Sequence, residues 1–355
     1  MGEDKPLNPY PDHPVLTFKD SGGKQTFNTA VFSDLHFGEN PWEHWGPEHD
    51  ASSMGLIEEV VSGGFAVDYV AINGDFITGE SKYLLILQPI IDSKLPFLST
   101  GGNHDNSLYI THKSEIEREQ SLPPTQSYTR IAGEDIGGAG GPGNYWVPVY
   151  KSGFNSSPAL VLWFFDSRGQ NMPPGTEGNP DIKDWVDESV VKWIESETKK
   201  MDEQWGGAEE QGRQALAFTH IPPHHIQAVS ENLDSSKNPG QHADVLGAGA
   251  AQDGEQKTRN QPFWDSLNTN VKNLCAVISG HDHGNEWCAR EPTQDVIFCF
   301  DKHSGYGGYT RDSWGHGVRQ VLFTMEGNNV DVESWIWVQG GEERARVKLN
   351  VNYGK

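Results

Sequence analysis

A layered α/β architecture is what this chain of 355 residues predicts, and three observations predict it. Apolar runs that read as strands recur along it: Thr29 to Ser33, Val67 to Asn73, Pro96 to Thr100, Leu216 to Thr219 and Leu274 to Ser279. Between them lie stretches with apolar residues at helical spacing. Each run leads directly into a cluster or a single residue drawn from Asp, Asn, His and Gly. Those residues therefore gather beyond the carboxyl ends of strands, where loops on a rigid scaffold can surround a ligand.

Taken in order, the first run ends in Asp34-Leu35-His36 and is followed by a helix over Ser52 to Ser62. The second ends in Gly74-Asp75, before a helix over Lys82 to Asp92. The third ends in Gly102-Asn103-His104-Asp105, with a helix starting near Thr111. A long helix is expected over Lys183 to Met201, with Trp185, Val186, Val190, Trp193 and Ile194 on one face. His220 stands alone after the fourth run, and the fifth ends in Gly280-His281-Asp282-His283. Val318 to Val338 reads as paired strands around Gly327-Asn328-Asn329, and the stretch to Lys355 is polar with short apolar alternation. Insertions near Ala132 to Asn144, Arg168 to Asp181 and Ser230 to Gln261 exceed ordinary connections, so they border the mouth or move. Gly247-Ala248-Gly249-Ala250 lacks a following Lys-Ser/Thr and reads as a loop, not a phosphate cradle. No internal repeat or linker divides the chain.

Asp oxygen, Asn carbonyl and His imidazole together suit borderline ions such as Zn, Mn, Fe or Ni, and no thiolate is among them. Any one cluster is weak, because Asp-x-His and His-x-His arise by chance in loops. Five in order are not. The ordered set Asp-x-His, Gly-Asp, Gly-Asn-His-Asp, a later His and Gly-His-x-His resembles the calcineurin-like metallophosphoesterases. The tail, with Gly284-Asn285-Glu286-Trp287-Cys288, Cys299-Phe300 and Gly305-Tyr306-Gly307-Gly308-Tyr309, is similar to the small fungal and plant purple-acid-phosphatase-like branch.

That resemblance implies a four-layer α/β/β/α sandwich of two mixed sheets flanked by helices. It implies one catalytic domain over 1–355, with a motif core of about 27–325 and peripheral strands and tail at 326–355. It also implies two metal ions, identity open among Zn, Mn, Fe and Ni. Asp34, His36 and His283 would take one, Asn103, His220 and His281 the other, and Asp75 would bridge them. In such sites a hydroxide between ions roughly 3.5–4 Å apart attacks phosphorus in line. His104 would stabilise charge or protonate the leaving oxygen, with Asp105 orienting its ring. A capped turn before the Thr111 helix is the structural alternative for that pair. Asp282, alternating between ligands, points away.

The function so implied is hydrolysis of phosphoric esters: a phosphomonoesterase, with phosphodiesterase action on nucleotide or lipid head-group esters as the alternative. A silent binding or regulatory module on the same fold is the rival class. The expected substrate is a small molecule or a phosphoprotein. For its contacts the candidates are His224 and His225, after the rigid Ile221-Pro222-Pro223, and Tyr306 and Arg311, which could equally pack their own loop.

Twenty-seven basic against 50 acidic residues give a net charge of −23, which argues against long nucleic acid as partner. No apolar run approaches the roughly 18 residues of a membrane span. Of the three cysteines, Cys275 sits in an apolar strand, while Cys288 and Cys299 straddle a hairpin and could pair. A sequon at Asn155-Ser156-Ser157 and low lysine content point to a secreted or vacuolar protein. The polar stretch Met1 to Asp20 is no signal peptide, which keeps a cytoplasmic location as the alternative.

True purple enzymes carry Gly-Asp-x-x-Tyr, whose tyrosinate colours iron, whereas here the block is Gly74-Asp75-Phe76-Ile77-Thr78. The iron-loaded protein is therefore expected to be colourless or weakly coloured. A strong purple charge-transfer band in its visible spectrum would overturn this.

Overall fold

The computed structural model describes residues 7–79, 83–153, 156–247, 259–327 and 329–355. The sequon residue Asn155 and the segment 248–250 lie outside them, as does the centre of the turn at Asn328.

The strands in chain order are β1 (Leu16–Thr17), β2 (Lys19–Ser21), β3 (Lys24–Phe32), β4 (Tyr69–Asn73), β5 (Phe97–Thr100), β6 (Tyr145–Tyr150) and β7 (Leu160–Phe165). They continue with β8 (Gln214–Thr219), β9 (Leu274–Ser279), β10 (Cys288–Arg290), β11 (Ile297–Phe300), β12 (Gly317–Glu326), β13 (Asn329–Val338) and β14 (Glu342–Lys348). One sheet runs β1-β6-β7-β8-β9-β11-β10; the other runs β14-β13-β12-β3-β4-β5, with β2 paired to β3. Both are mixed. Parallel pairs join β3 with β4 and β4 with the edge strand β5 in one, and β7 with β8 and β8 with β9 near the centre of the other.

The helices are α1 (Trp45–Ser62), α2 (Tyr83–Ile86), α3 (Gln88–Ser93), α4 (His112–Gln120), α5 (Ser189–Trp205), α6 (Ala208–Gln211), α7 (Ile226–Ser230) and α8 (Gln261–Asn270). The central strands are apolar on both faces because both faces are covered. In β7, Leu160, Leu162 and Phe164 point into the core between the sheets, where they meet Phe27, Val31, Tyr69 and Ala71. Val161, Trp163 and Phe165 point outward under Val190 and Ile194 of α5 and Trp264 of α8. Across the other sheet, Ala30, Phe32, Val70 and Ile72 pack beneath Leu56, Ile57 and Val60 of α1. The order of layers is thus α/β/β/α. Each fully buried Leu or Phe in them contributes about 1.5–3 kcal/mol.

Several elements differ from the sequence reading: α1 begins at Trp45 rather than near Ser52, and α2 and α3 stand where the sequence predicts one helix over Lys82 to Asp92. The tail alternation of Ala345, Val347 and Leu349 marks a further strand, β14, which pairs with β13. The long helix starts at Ser189, not Lys183. The backbone before it is taken by tertiary bonds: Lys183 O accepts from Gly169 N and Trp185 O from Arg168 Nε, after which the Asp187 side chain accepts from Ser189 N at the helix start.

Cys288 and Cys299 are register partners in the β10–β11 pair and form a disulfide. With only 11 residues of separation it closes a short loop in the unfolded chain. The double variant Cys288→Ala/Cys299→Ala is expected to lose about 3 kcal/mol in urea unfolding. An unchanged midpoint would show that the bond does not constrain the chain.

Candidate metal centre

The parallel strands set the position of the site. The carboxyl ends of β3, β4 and β5 deliver Asp34, His36, Asp75, Asn103 and His104 from one sheet. Those of β8 and β9 deliver His220, His281 and His283 from the other. Beyond the strands the loops stay joined: Asp34 N donates to Gly74 O (3.0 Å), His36 N to Asp75 O (2.9 Å) and Gly280 N to His220 O (3.1 Å). Asp34, His36, Asp75 and His281 hold left-handed backbone, with φ of 53°, 49°, 51° and 75°. That conformation costs a non-glycine residue on the order of 1–2 kcal/mol, and these bonds hold it in place. Gly74 has φ of 88°, and a Cβ on it would stand 2.4 Å from His220 Nδ1, so only glycine admits that ring.

Ligand atoms of Asp34, His36 and His283 lie within 4.8 Å of one another, as do those of Asp75, His220 and His281. His36 and Asp75 also group with His104. Three rings are anchored through Nδ1. His220 Nδ1 donates to Asn73 O (2.8 Å), His283 Nδ1 to Tyr309 O (2.6 Å), and His36 Nδ1 sits 2.6 Å from Thr78 Oγ1. Each therefore turns Nε2 inward, the arrangement in which outer hydrogen bonds orient metal-binding imidazoles. The Nε2 atoms of His36 and His283 are 3.1 Å apart, and His220 Nε2 is 3.2 Å from Asp75 Oδ2.

Asn103 Oδ1 is buried with no hydrogen-bond partner. Leaving such an oxygen unmatched costs about 1–3 kcal/mol, which a cation would offset. Electrostatics point the same way. Burial alone would raise Asp34, but His283 and His220 outweigh it and hold the carboxyl down at about 2. Burial would lower His220, yet Asp75 and Asp34 lift it to about 10. The buried carboxylates thus draw in positive charge, and the nitrogen and oxygen donor set fits borderline metal ions.

A family model for calcineurin-like phosphoesterases matches residues 27–285. The chain belongs to that family. Among curated relatives, this phosphoesterase is 26% identical over 340 residues to "Probable inactive purple acid phosphatase 28" of Arabidopsis thaliana, covering 86% of this chain and 76% of the relative. It is 24% identical over 335 residues to "Phosphatase DCR2" of Saccharomyces cerevisiae, covering 88% of this chain but 54% of that protein. The solved purple acid phosphatase PPD1 from yellow lupin seeds shares the fold, with a TM-score of 0.51 and 11% identity, over 91% of this chain and 53% of that one.

The other candidates have partners outside these groups. Asp105 does not orient the His104 ring: its carboxylate accepts from Ile77 N (2.8 Å) and Gly102 N (2.9 Å), so it shapes the loop backbone. His225 stacks on Trp264 and pairs with Gln261, and His224 stacks on His225. Tyr306 bonds Gln339 and stacks on His316, while the exposed Arg311 lies over Trp314. His225 is thus packed on α8 and Tyr306 on the end of β13. Asp282 accepts from Gly247 N and, as expected, joins none of the ligand groups.

The phosphoesterase centre also rests on side chains that spacing does not single out. Tyr309 stacks on His283 at 4.0 Å and its hydroxyl donates to Asp244. His112 bonds both Asp166 oxygens through Nδ1 at 2.9 Å and Gly102 O through Nε2 at 2.7 Å, bracing the turn that carries Asn103. Burial would lower His112, but the Asp166 carboxylate lifts it to about 9.

Because that value exceeds the ordinary 6.5 or so, the stabilisation is complete below about pH 6.5 and is lost as pH rises through about 9. The stability gap between wild type and His112→Gln, on the order of 3 kcal/mol near pH 6, is expected to narrow by about pH 10. Urea unfolding at both pH values tests this; a constant gap would exclude the ion pair as its source.

Proposed function

We propose that this protein is a dinuclear-metal-dependent hydrolase of phosphoric esters. The observation that carries the reading is the convergence of two ligand groups, Asp34 with His36 and His283, and Asp75 with His220 and His281, beside His104. The first group would hold one ion. Asn103, His220 and His281 would hold the other, with Asp75 between them. When bound, such a pair neutralises phosphoryl charge as a Lewis acid and lowers the pKa of water toward neutrality. Zn, Mn, Fe and Ni all suit these donors.

The chain's own groups then position the reacting ester. His104 is the partly open member, its side chain 24% exposed with Nε2 4.0 Å from Asp75 Oδ2. From there it donates to a phosphoryl or leaving oxygen as charge develops. Phosphomonoesters, of a small molecule or a phosphoprotein, are the first reading, in keeping with the relative named a phosphatase. One observation favours phosphodiesters: among the described residues, the ion pairs of Asp34 and Asp75 run to His36, His104, His220 and His283, with no Arg or Lys among them. A diester monoanion asks for less positive charge than a monoester dianion. The relative named "probable inactive" points instead to a silent module. Retention here of every expected donor, in converging geometry, supports turnover. The Cys288–Cys299 pair supports an oxidising compartment, secreted or vacuolar.

The zinc- or manganese-loaded protein is expected to hydrolyse p-nitrophenyl phosphate, bis-p-nitrophenyl phosphate or both. His104→Ala should lower kcat by roughly 10²–10³-fold, as loss of one transition-state donor does. Asp75→Asn should lower bound metal below two ions per chain. No turnover of either ester, or full activity in both variants, would sink the assignment.

A further inference from the structure

The His104 ring is held from two sides through one atom. Asn171 Nδ2 lies 3.0 Å from Nδ1, and Thr78 Oγ1 lies 3.2 Å from it. An amide nitrogen can only donate, so the bond from Asn171 requires a lone pair on His104 Nδ1. The proton of the neutral ring then sits on Nε2. Thr78 Oγ1 also lies 2.6 Å from His36 Nδ1, so its hydroxyl links the two rings.

Asn171 belongs to an insertion whose base is anchored. Arg168 Nη1 pairs with Asp187 (2.9 Å) and its Nε with Trp185 O (2.7 Å); Gly169 N donates to Lys183 O (2.6 Å), and Asn171 N to Asn106 O (3.0 Å). Asn106 Nδ2 in turn donates to Gly169 O (3.1 Å). Gly169, with φ of 85°, lies so close to Asn103 that a Cβ on it would stand 2.6 Å from the Asn103 Cβ. The loop is thus clamped against the same turn that carries His104.

We infer that Asn171 is a positioning residue that fixes the Nε2–H tautomer of His104, so that the ring presents a donor to the phosphoryl group. The inference deepens the hydrolase reading but is read out separately from it. Nitrogen-15 spectra of histidine side chains, assigned with His104→Gln, report which ring nitrogen carries hydrogen in the zinc-loaded and the metal-free protein. The expected result is Nε2–H with an unprotonated Nδ1 for His104 in both forms. In Asn171→Asp, whose carboxylate can only accept, hydrogen should move onto Nδ1. On p-nitrophenyl phosphate that variant should lose roughly 10–100-fold in kcat with KM little changed, as loss of an orienting hydrogen bond does. Hydrogen on Nδ1 in the wild-type protein overturns the inference even if the enzyme is fully active. Absence of all turnover overturns the hydrolase reading alone, since the tautomer is observed without it.

Discussion

Everything at this site depends on the meeting of two sheets at their strand ends. The Asn73 carbonyl, at the end of β4, accepts from Ser33 Oγ on its own sheet and from His220 Nδ1 on the other. The Asp34 carboxylate accepts from Ser33 Oγ and from His281 N. Without that juncture neither triad exists, because each draws on both sheets. The core between the sheets sets their separation, and buried bonds of this kind set their register.

The juncture also explains the backbone. Four of the expected ligands sit at left-handed φ, a conformation unfavourable for aspartate and histidine on their own. Each follows a strand that is still hydrogen-bonded when the turn begins, so local strain is offset by ladder bonds on either side. Buried carboxylates among imidazoles complete the picture: Asp34 and Asp75 are held low while His220 and His283 are raised, a negative centre that draws in cations.

Much of this was legible in the residues. The strand runs appear where expected, and Thr111 caps α4 by accepting from Ser114 N. The helix proposed from Lys183 shows the limit, because Trp185 and Val186 have the right period but their segment is committed to anchoring Arg168 and Gly169. The Asp105 assignment shows another. Adjacency to His104 suggested a ring partner, yet a short turn directs neighbouring side chains apart, and Asp105 serves the Gly102 and Ile77 amides instead.

The residues by themselves determined the donor chemistry, the order of the ligand blocks and their place after strands, because donor type and apolar period are local properties of the chain. Tertiary structure alone decided what holds His104 and what braces the turn that carries it. Asn171 reaches that ring across 67 residues, and His112 reaches Asp166 across 54. Contacts at such separations depend on which loops the packed sheets bring together, and no spacing along the chain encodes that.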